Sequence, residues 1–304
     1  MIIKNGLVFQ EDGSFCKKDV YIRDHQIVEA EDMTEDRTVL DAEGLMVLPG
    51  LVDIHSHGAA GEDFSDGDPD GLKKILRYEK QSGITSYCPT SMTLPKEKLH
   101  RIFEAVRQAE HREDEAVIRG INMEGPFLDP ARKGAHVEEW ICRPDADLVR
   151  QLNQASGGLI CLVTLAPNVE GAGDFIREMH KEVCISLGHT AADYETAREA
   201  MRRGAHHVTH LYNAMQPLAH RAPGLIGAAM DDPECMVELI SDGYHIHPSA
   251  IRATFRMFGP DRVILISDSM RAAGMPDGTY ELGGQEVTVG DRKAVLGDGT
   301  LAGS

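Results

Sequence analysis

No stretch of this 304-residue chain is apolar enough for long enough to cross a bilayer. The start, Met1-Ile2-Ile3-Lys4-Asn5-Gly6, lacks the apolar core of a secretory signal. The expected compartment is therefore the cytoplasm. Cysteine is scarce: Cys16, Cys88, Cys142, Cys161, Cys184 and Cys235, with no pair spaced C-x-x-C. This favours free thiols in a reducing compartment, with Cys88, Cys161 and Cys184 serving as small buried hydrophobes in strands. Positive charge is in deficit, 31 Lys and Arg against 49 Asp and Glu, for a net charge of -18. That balance speaks against nucleic acid and anionic membranes as partners. The acidity is spread along the chain as a solvated surface, so an anionic substrate needs a local basic pocket. Short repeats and low-complexity tracts are also absent, which excludes a solenoid.

What is present is an ordinary globular composition, 42% hydrophobic with a mean hydropathy of -0.27. Residues 1–46 hold short apolar segments, Ile2-Ile3, Leu7-Val8-Phe9, Val20-Tyr21-Ile22, Ile27-Val28 and Val39-Leu40. Asn5-Gly6, Glu11-Asp12-Gly13 and Arg23-Asp24 punctuate them, so this region reads as the amino-terminal part of a small β-sandwich or β-roll. From residue 47 the pattern changes to eight apolar runs alternating with amphipathic stretches. The runs are Leu51–Ile54, Ser86–Pro89, Ile118–Met123, Leu159–Leu165, Val183–Leu187, His207–His210, Met236–Ile240 and Val263–Ile266. Helical periodicity is expected over 69–82, 95–110, 145–155, 171–180, 193–203 and 248–258. This alternation predicts an α/β fold, a (β/α)8 barrel over residues 47–304. Residues 277–301 read as a β-hairpin insertion, and no helix is evident after the eighth strand.

Polar residues gather where the barrel strands end. Strand one ends in His55-Ser56-His57, whose two histidines at i and i+2 point to one side. Strand three ends in Glu124, strand five in His189, strand six in His210 and strand eight in Asp268. Each histidine alone reads as a satisfied structural residue. Together, at the carboxyl ends of barrel strands, they read as a metal site. Imidazole and carboxylate suit a divalent ion: zinc or iron first, manganese or cobalt next. Strand four carries no lysine, which leaves Glu124 as the anionic ligand available to bridge two ions.

The ordered motifs Pro49-Gly50-Leu51-Val52-Asp53-Ile54-His55, Met123-Glu124-Gly125-Pro126-Phe127, Lys133-Gly134-Ala135-His136, Gly188-His189-Thr190, Thr209-His210-Leu211-Tyr212-Asn213-Ala214-Met215, Arg221-Ala222-Pro223-Gly224, Asp242-Gly243-Tyr244-His245 and Leu301-Ala302-Gly303-Ser304 resemble the N-acetylglucosamine-6-phosphate deacetylase family of the amidohydrolase superfamily. The resemblance implies that Glu124, His189 and His210 are the principal metal ligands and Asp268 the catalytic acid/base. It implies substrate contacts from Ala135, His136, Asn213, Ala214, Arg221 and His245. His55 and His57 imply a second ion, hence one or two per subunit. Family members continue past Leu-Ala-Gly-Ser, so the resemblance implies a chain truncated before the last barrel helix and the returning strands of the small domain. It further implies a homodimer acting on a small sugar phosphate, with Arg221 near the dimer interface. Taken alone, Arg221 reads as a surface ion-pairing residue, and His206, His207, His220 and His247 receive no role.

Two other readings stand beside this one. Another metal-dependent amidohydrolase, a cyclic amidase or aminohydrolase, shares the histidines without needing the Lys-Gly-Ala-His or Asn-Ala-Met segments. A non-catalytic scaffold of the same fold would have lost metal ligands, and here each expected ligand and Asp268 are present.

Overall fold

A computed structural model of the chain describes residues 1–30, 38–109 and 112–304. The chain forms two compact units, Met1–Leu51 and Val52–Ser304. Among the described residues, the first holds seven short strands: β1 (Ile2–Lys4), β2 (Leu7–Phe9), β3 (Phe15–Lys17), β4 (Val20–Arg23), β5 (Gln26–Val28), β6 (Val39–Asp41) and β7 (Met46–Val47). They form two small sheets of order β5-β4-β1-β6 and β3-β2-β7.

The second unit is the barrel. Its strands are β8 (Leu51–Ser56), β11 (Ile84–Ser91), β12 with β13 (Val117–Ile118 and Ile121–Phe127), β14 (Ile160–Leu165), β15 (Cys184–Leu187), β16 (His207–Val208), β17 (Met236–Ile240) and β18 (Val263–Ile266). A short two-stranded ribbon, β9 (Gly58–Ala59) and β10 (Glu62–Asp63), follows β8. The barrel strands run parallel in chain order, with β8 beside β11. The ring closes through the backbone, where Asp268 N–H donates to His55 O at 2.8 Å and His57 N–H to Ser269 O at 2.8 Å. Every residue of β13 is buried, as a strand covered on both faces requires.

Among the described residues, six of the seven α-helices follow the expected periodicity: α1 (Pro69–Gln81), α2 (Lys96–Arg107), α3 (Ala146–Ser156), α4 (Ala172–Met179), α5 (Tyr194–Arg202) and, after α6 (Gly224–Met230), α7 (Pro248–Phe258). Residue 110, included in the expected second helix, lies outside the described residues. Side chains define the starts: Asp68 accepts from Asp70 N, Asp145 from Leu148 N and Asp193 from Thr196 N. Helix α1 turns Leu72, Ile75, Leu76 and Glu79 inward, one stripe at helical spacing. Helix α6 (Gly224–Met230) was not foreseen. It is seven residues long and begins Gly-Leu-Ile-Gly, so burial rather than propensity forms it.

After β18 no α-helix follows among the described residues. The tail folds as a three-stranded antiparallel meander, β19 (Gly278–Leu282), β20 (Gln285–Gly290) and β21 (Lys293–Leu296). One expectation is corrected here. Cys88 is buried, but Cys161 and Cys184 are exposed. Both lie near the amino-terminal ends of their strands, where burial is incomplete.

Candidate metal centre and active site

The site is assembled by strand ends. Residues His189, His210 and Asp268, at the exits of β15, β16 and β18, have φ of 47°, 26° and 49°. These left-handed values are costly for residues with a Cβ and cluster at functional sites, where the surrounding structure enforces them. Here the turn aims each side chain into the barrel mouth instead of along the strand.

Glu124 is the hub. Its Oε1 lies 3.0 Å from His189 Nε2, 2.9 Å from His210 Nε2 and 3.4 Å from His55 Nε2. Its Oε2 lies 3.2 Å from His57 Nε2 and 3.4 Å from His136 Nε2. Asp268 Oδ1 stands 3.3 Å from His57 Nε2 and 3.6 Å from His55 Nε2. All of these residues are buried.

Hydrogen bonds at the far ring nitrogens decide what each histidine presents. His57 Nδ1–H donates to Thr90 O at 3.1 Å and His189 Nδ1–H to Arg132 O at 3.0 Å, because a carbonyl can only accept. His55 Nδ1–H donates to Glu238 Oε2 at 2.8 Å. In the neutral ring each bond leaves an Nε2 lone pair facing Glu124. The Nε2 atoms of His189 and His210 face each other at 3.0 Å. His210 Nδ1 has no hydrogen-bond partner among the described residues, and two Nε2 atoms this close can share either a proton or a common cation. Two overlapping donor sets, His55, His57 and Glu124 on one side and Glu124, His136 and His189 on the other, have ligand atoms grouped closely enough for an ion.

His136 differs. Its Nδ1 accepts the backbone N–H of Thr93 at 3.1 Å, so the proton sits on Nε2. Burial, joined by the neighbouring His189 and His57, outweighs Glu124 and lowers its pKa to about 4. A neutral ring carrying Nε2–H is a hydrogen-bond donor toward the centre, not a ligand. The remaining donors, four imidazoles and the two oxygens of Glu124, fit one or two divalent ions.

The electrostatics are those of a cation site. Burial opposes the charge on Glu124, yet His55 and hydrogen bonds from His136, His189 and His210 hold its carboxyl well below the usual range. Burial likewise opposes charge on His57, but Asp268 and Glu124 overcome it and raise its pKa to about 10. An ion bound through His57 Nε2 would have to displace the proton of that ring.

Above this floor lies a cavity of about 610 Å³, a size that takes a small organic molecule. His57, Glu124, Ala135, His136, His189, His210, Asn213, Ala214, His245 and Asp268 line it, and His55 lies beneath, fully buried. Arg132 and Lys133 stand on its wall, the local basic groups an anionic substrate needs in an acidic protein. Leu301, Ala302 and Gly303 also line it. Arg221 is exposed and is not among the lining residues. A cavity of about 660 Å³ between α1, α2 and α3 is slightly larger but has no cluster of titratable groups among the described residues.

Sequence reasoning missed three contributors: Glu238, the Thr93 amide and the Arg132 carbonyl. Glu238 left a signal, a lone carboxylate inside Met236-Val237-Glu238-Leu239-Ile240. The backbone groups left none, because every residue has them.

Comparisons agree with this architecture. The amidohydrolase family profile matches residues 46–278. The N-acetylglucosamine-6-phosphate deacetylase of Bacillus subtilis is 43% identical over 264 residues, which cover 85% of this chain and 67% of that one. An N-acetylgalactosamine-6-phosphate deacetylase of Escherichia coli O157:H7 is 35% identical over 100% of this chain and 80% of its own. A mutant N-acetyl-D-glucosamine-6-phosphate deacetylase of Mycobacterium smegmatis, solved with N-acetyl-D-glucosamine-6-phosphate, superposes with a TM-score of 0.89 at 32% identity, over 100% of this chain and 80% of that one. By sequence, barrel and site together, the chain belongs to the amidohydrolase family and, within it, to the N-acetylglucosamine-6-phosphate deacetylase relatives.

Proposed function

We propose that this protein is a metal-dependent hydrolase that removes the acetyl group of N-acetylglucosamine 6-phosphate, releasing glucosamine 6-phosphate and acetate. The observation that carries it is the set of Nε2 atoms converging on the two oxygens of Glu124, with Asp268 Oδ1 3.3 Å from His57 Nε2. Glu124, His189 and His210 would hold the principal ion, and His55 and His57 with Glu124 would hold a second. Zinc or iron suits these donors, with manganese or cobalt as further candidates. When bound, such an ion supplies activated water at neutral pH and polarises the amide carbonyl.

The chain's own residues do the rest. Asp268 is held ionised because His57, His55 and His210 outweigh the cost of its burial. It is therefore a base at Oδ1, taking the proton of the attacking water and then delivering it to the leaving nitrogen. His136 donates Nε2–H to the carbonyl oxygen as negative charge develops there. Ala135, Asn213, Ala214 and His245 line the sugar-phosphate cavity. Arg221, exposed and away from its own chain's cavity, suits a phosphate contact made to a neighbouring subunit, so the reading includes a homodimer. It also includes the cytoplasm: no helix is long and apolar enough to cross a membrane among the described residues.

The test is acetate release measured with metal content. Chelation should abolish turnover of N-acetylglucosamine 6-phosphate and metal should restore it. Ala substitutions at Glu124, His189 or His210 should remove metal and activity together. Full occupancy in all three variants would overturn the ligand assignment. The Escherichia coli relative supports a second reading, in which the 4-epimer, N-acetylgalactosamine 6-phosphate, is the better substrate. A higher kcat/KM on that epimer would replace the first reading with the second.

A further inference from the structure

Glu238 is the least economical residue in the barrel core. It sits in the middle of β17, fully buried, between Val237 and Leu239. Burying a carboxylate is costly, and an apolar side chain of similar volume serves packing better. Its partners explain its presence. Oε2 accepts from His55 Nδ1–H at 2.8 Å and from the main-chain N–H of His210 at 3.1 Å. The same residue's carbonyl accepts from Leu211 N–H at 2.8 Å. One carboxylate oxygen thus restrains a histidine that leaves β8 and the backbone of another that leaves β16. The restrained backbone is the one at φ 26°, a conformation that needs outside support. Among the described residues Oε1 has no hydrogen-bond partner, and His207 Nε2, also unpartnered there, lies 4.0 Å away. The carboxylate's stabilising contacts are therefore all directed at the site.

We infer that Glu238 is a positioning residue that locks His55 with Nε2 toward Glu124 and Asp268, and so sets the affinity of the His55–His57 side of the centre. A carboxylate hydrogen-bonded to the remote nitrogen of a histidine orients the ring and raises its basicity as a ligand. Val, Leu or Ile at this position would leave His55 free to turn about χ2. The inference rests on the two-ion reading above, and its test is separable from that reading.

The experiment uses the full chain, E238Q, E238A, H55A and the double variant E238A/H55A. The first readout needs no metal. In histidine-labelled, metal-free protein, His55 should show an exchange-protected Nδ1–H resonance, assigned by its loss in H55A. It should vanish in E238A and persist, shifted, in E238Q, whose amide oxygen still accepts. The second readout is cobalt content and absorption. E238A should bind the second equivalent about 10- to 100-fold more weakly, the range for loss of such a partner. E238Q should recover part of that loss. In the H55A background, E238A should cost little more at the second equivalent. An unchanged Nδ1–H resonance in E238A, or an equal loss of affinity with and without His55, would overturn the inference. If E238A does not fold, E238Q decides: an unshifted resonance and full affinity count against it. A wild type that never exceeds one equivalent removes the two-ion reading, while the resonance still decides whether Glu238 positions His55.

Discussion

At the scale of single residues, the proposed roles separate the groups that would hold a cation from Asp268, the proton carrier, and His136, the hydrogen-bond donor. The environments of these last two push their protonation states apart. The carboxyl is held ionised by surrounding imidazoles, and the imidazole is held neutral by burial. Asp268→Asn keeps the shape but cannot accept a proton. It should retain metal and lose turnover by roughly 10²-fold or more, a typical share for a positioned acid/base. A near-normal rate would remove Asp268 from the mechanism. His136→Ala should lower kcat by about 10²- to 10³-fold, as loss of an oxyanion donor does. Its metal content should stay unchanged, because Nε2 carries a hydrogen. Loss of an ion in that variant would make His136 a ligand and reverse the tautomer argument. His55, His57, Glu124, His189, His210 and Asp268 were all legible as strand-end residues. The tautomers were not, since they depend on Thr90, Thr93 and Arg132 backbone groups distant in sequence.

At the scale of elements, helix α1 carries a liability that the sequence pattern conceals. Glu79 continues the inward stripe of Leu72, Ile75 and Leu76 and is buried. Burial, then the charge of Asp53, raises its pKa from 4.5 to about 8. The folded chain therefore binds a proton there that the unfolded chain has already released, across the window from about pH 4.5 to about pH 8. Stability contributed by the protonated form is present below pH 4.5 and is lost as pH rises toward 8. Glu79→Gln should raise Tm by several degrees above pH 8 and change it little near pH 4.5. Equal shifts at both pH values would show that packing, not ionisation, sets the effect. Helices α1 to α5 and α7 were legible because their apolar stripes are local signals. Helix α6 was not, because a Gly-rich seven-residue segment acquires helical structure only when Leu225, Ile226, Ala228 and Ala229 are buried by the rest of the barrel.

At the scale of the whole molecule, a net charge of -18 repels a sugar phosphate. The proposed function then needs local cations, and the candidates are Arg132 and Lys133 on the cavity wall and Arg221 outside it. Arginine offers a planar fork to phosphate oxygens, so Arg221→Ala should raise KM for the phosphorylated substrate. The weak reaction with unphosphorylated N-acetylglucosamine should barely change. Because Arg221 is not in its own chain's cavity, mixing it with an otherwise intact Asp268→Asn chain offers a sharper check. Sites with intact Asp268 and a neighbour's intact Arg221 should recover low KM if the arginine serves a partner. A KM that depends only on the Arg221 of the same chain would place it within one subunit.

Amino-acid order alone determined the alternation of eight strands with helices, and with it which residues stand at strand exits. It did so because apolar periodicity is a short-range property. Tertiary structure alone decided which of those residues meet. Glu124 reaches His189 and His210 across 65 and 86 residues of chain, and His55 meets Glu238 across 183. Closing the ring brings those ends to one mouth. It also shares Glu124 between two sets of imidazoles, places Arg221 outside the cavity, and turns an unremarked glutamate in a buried strand into a hydrogen-bond partner of His55.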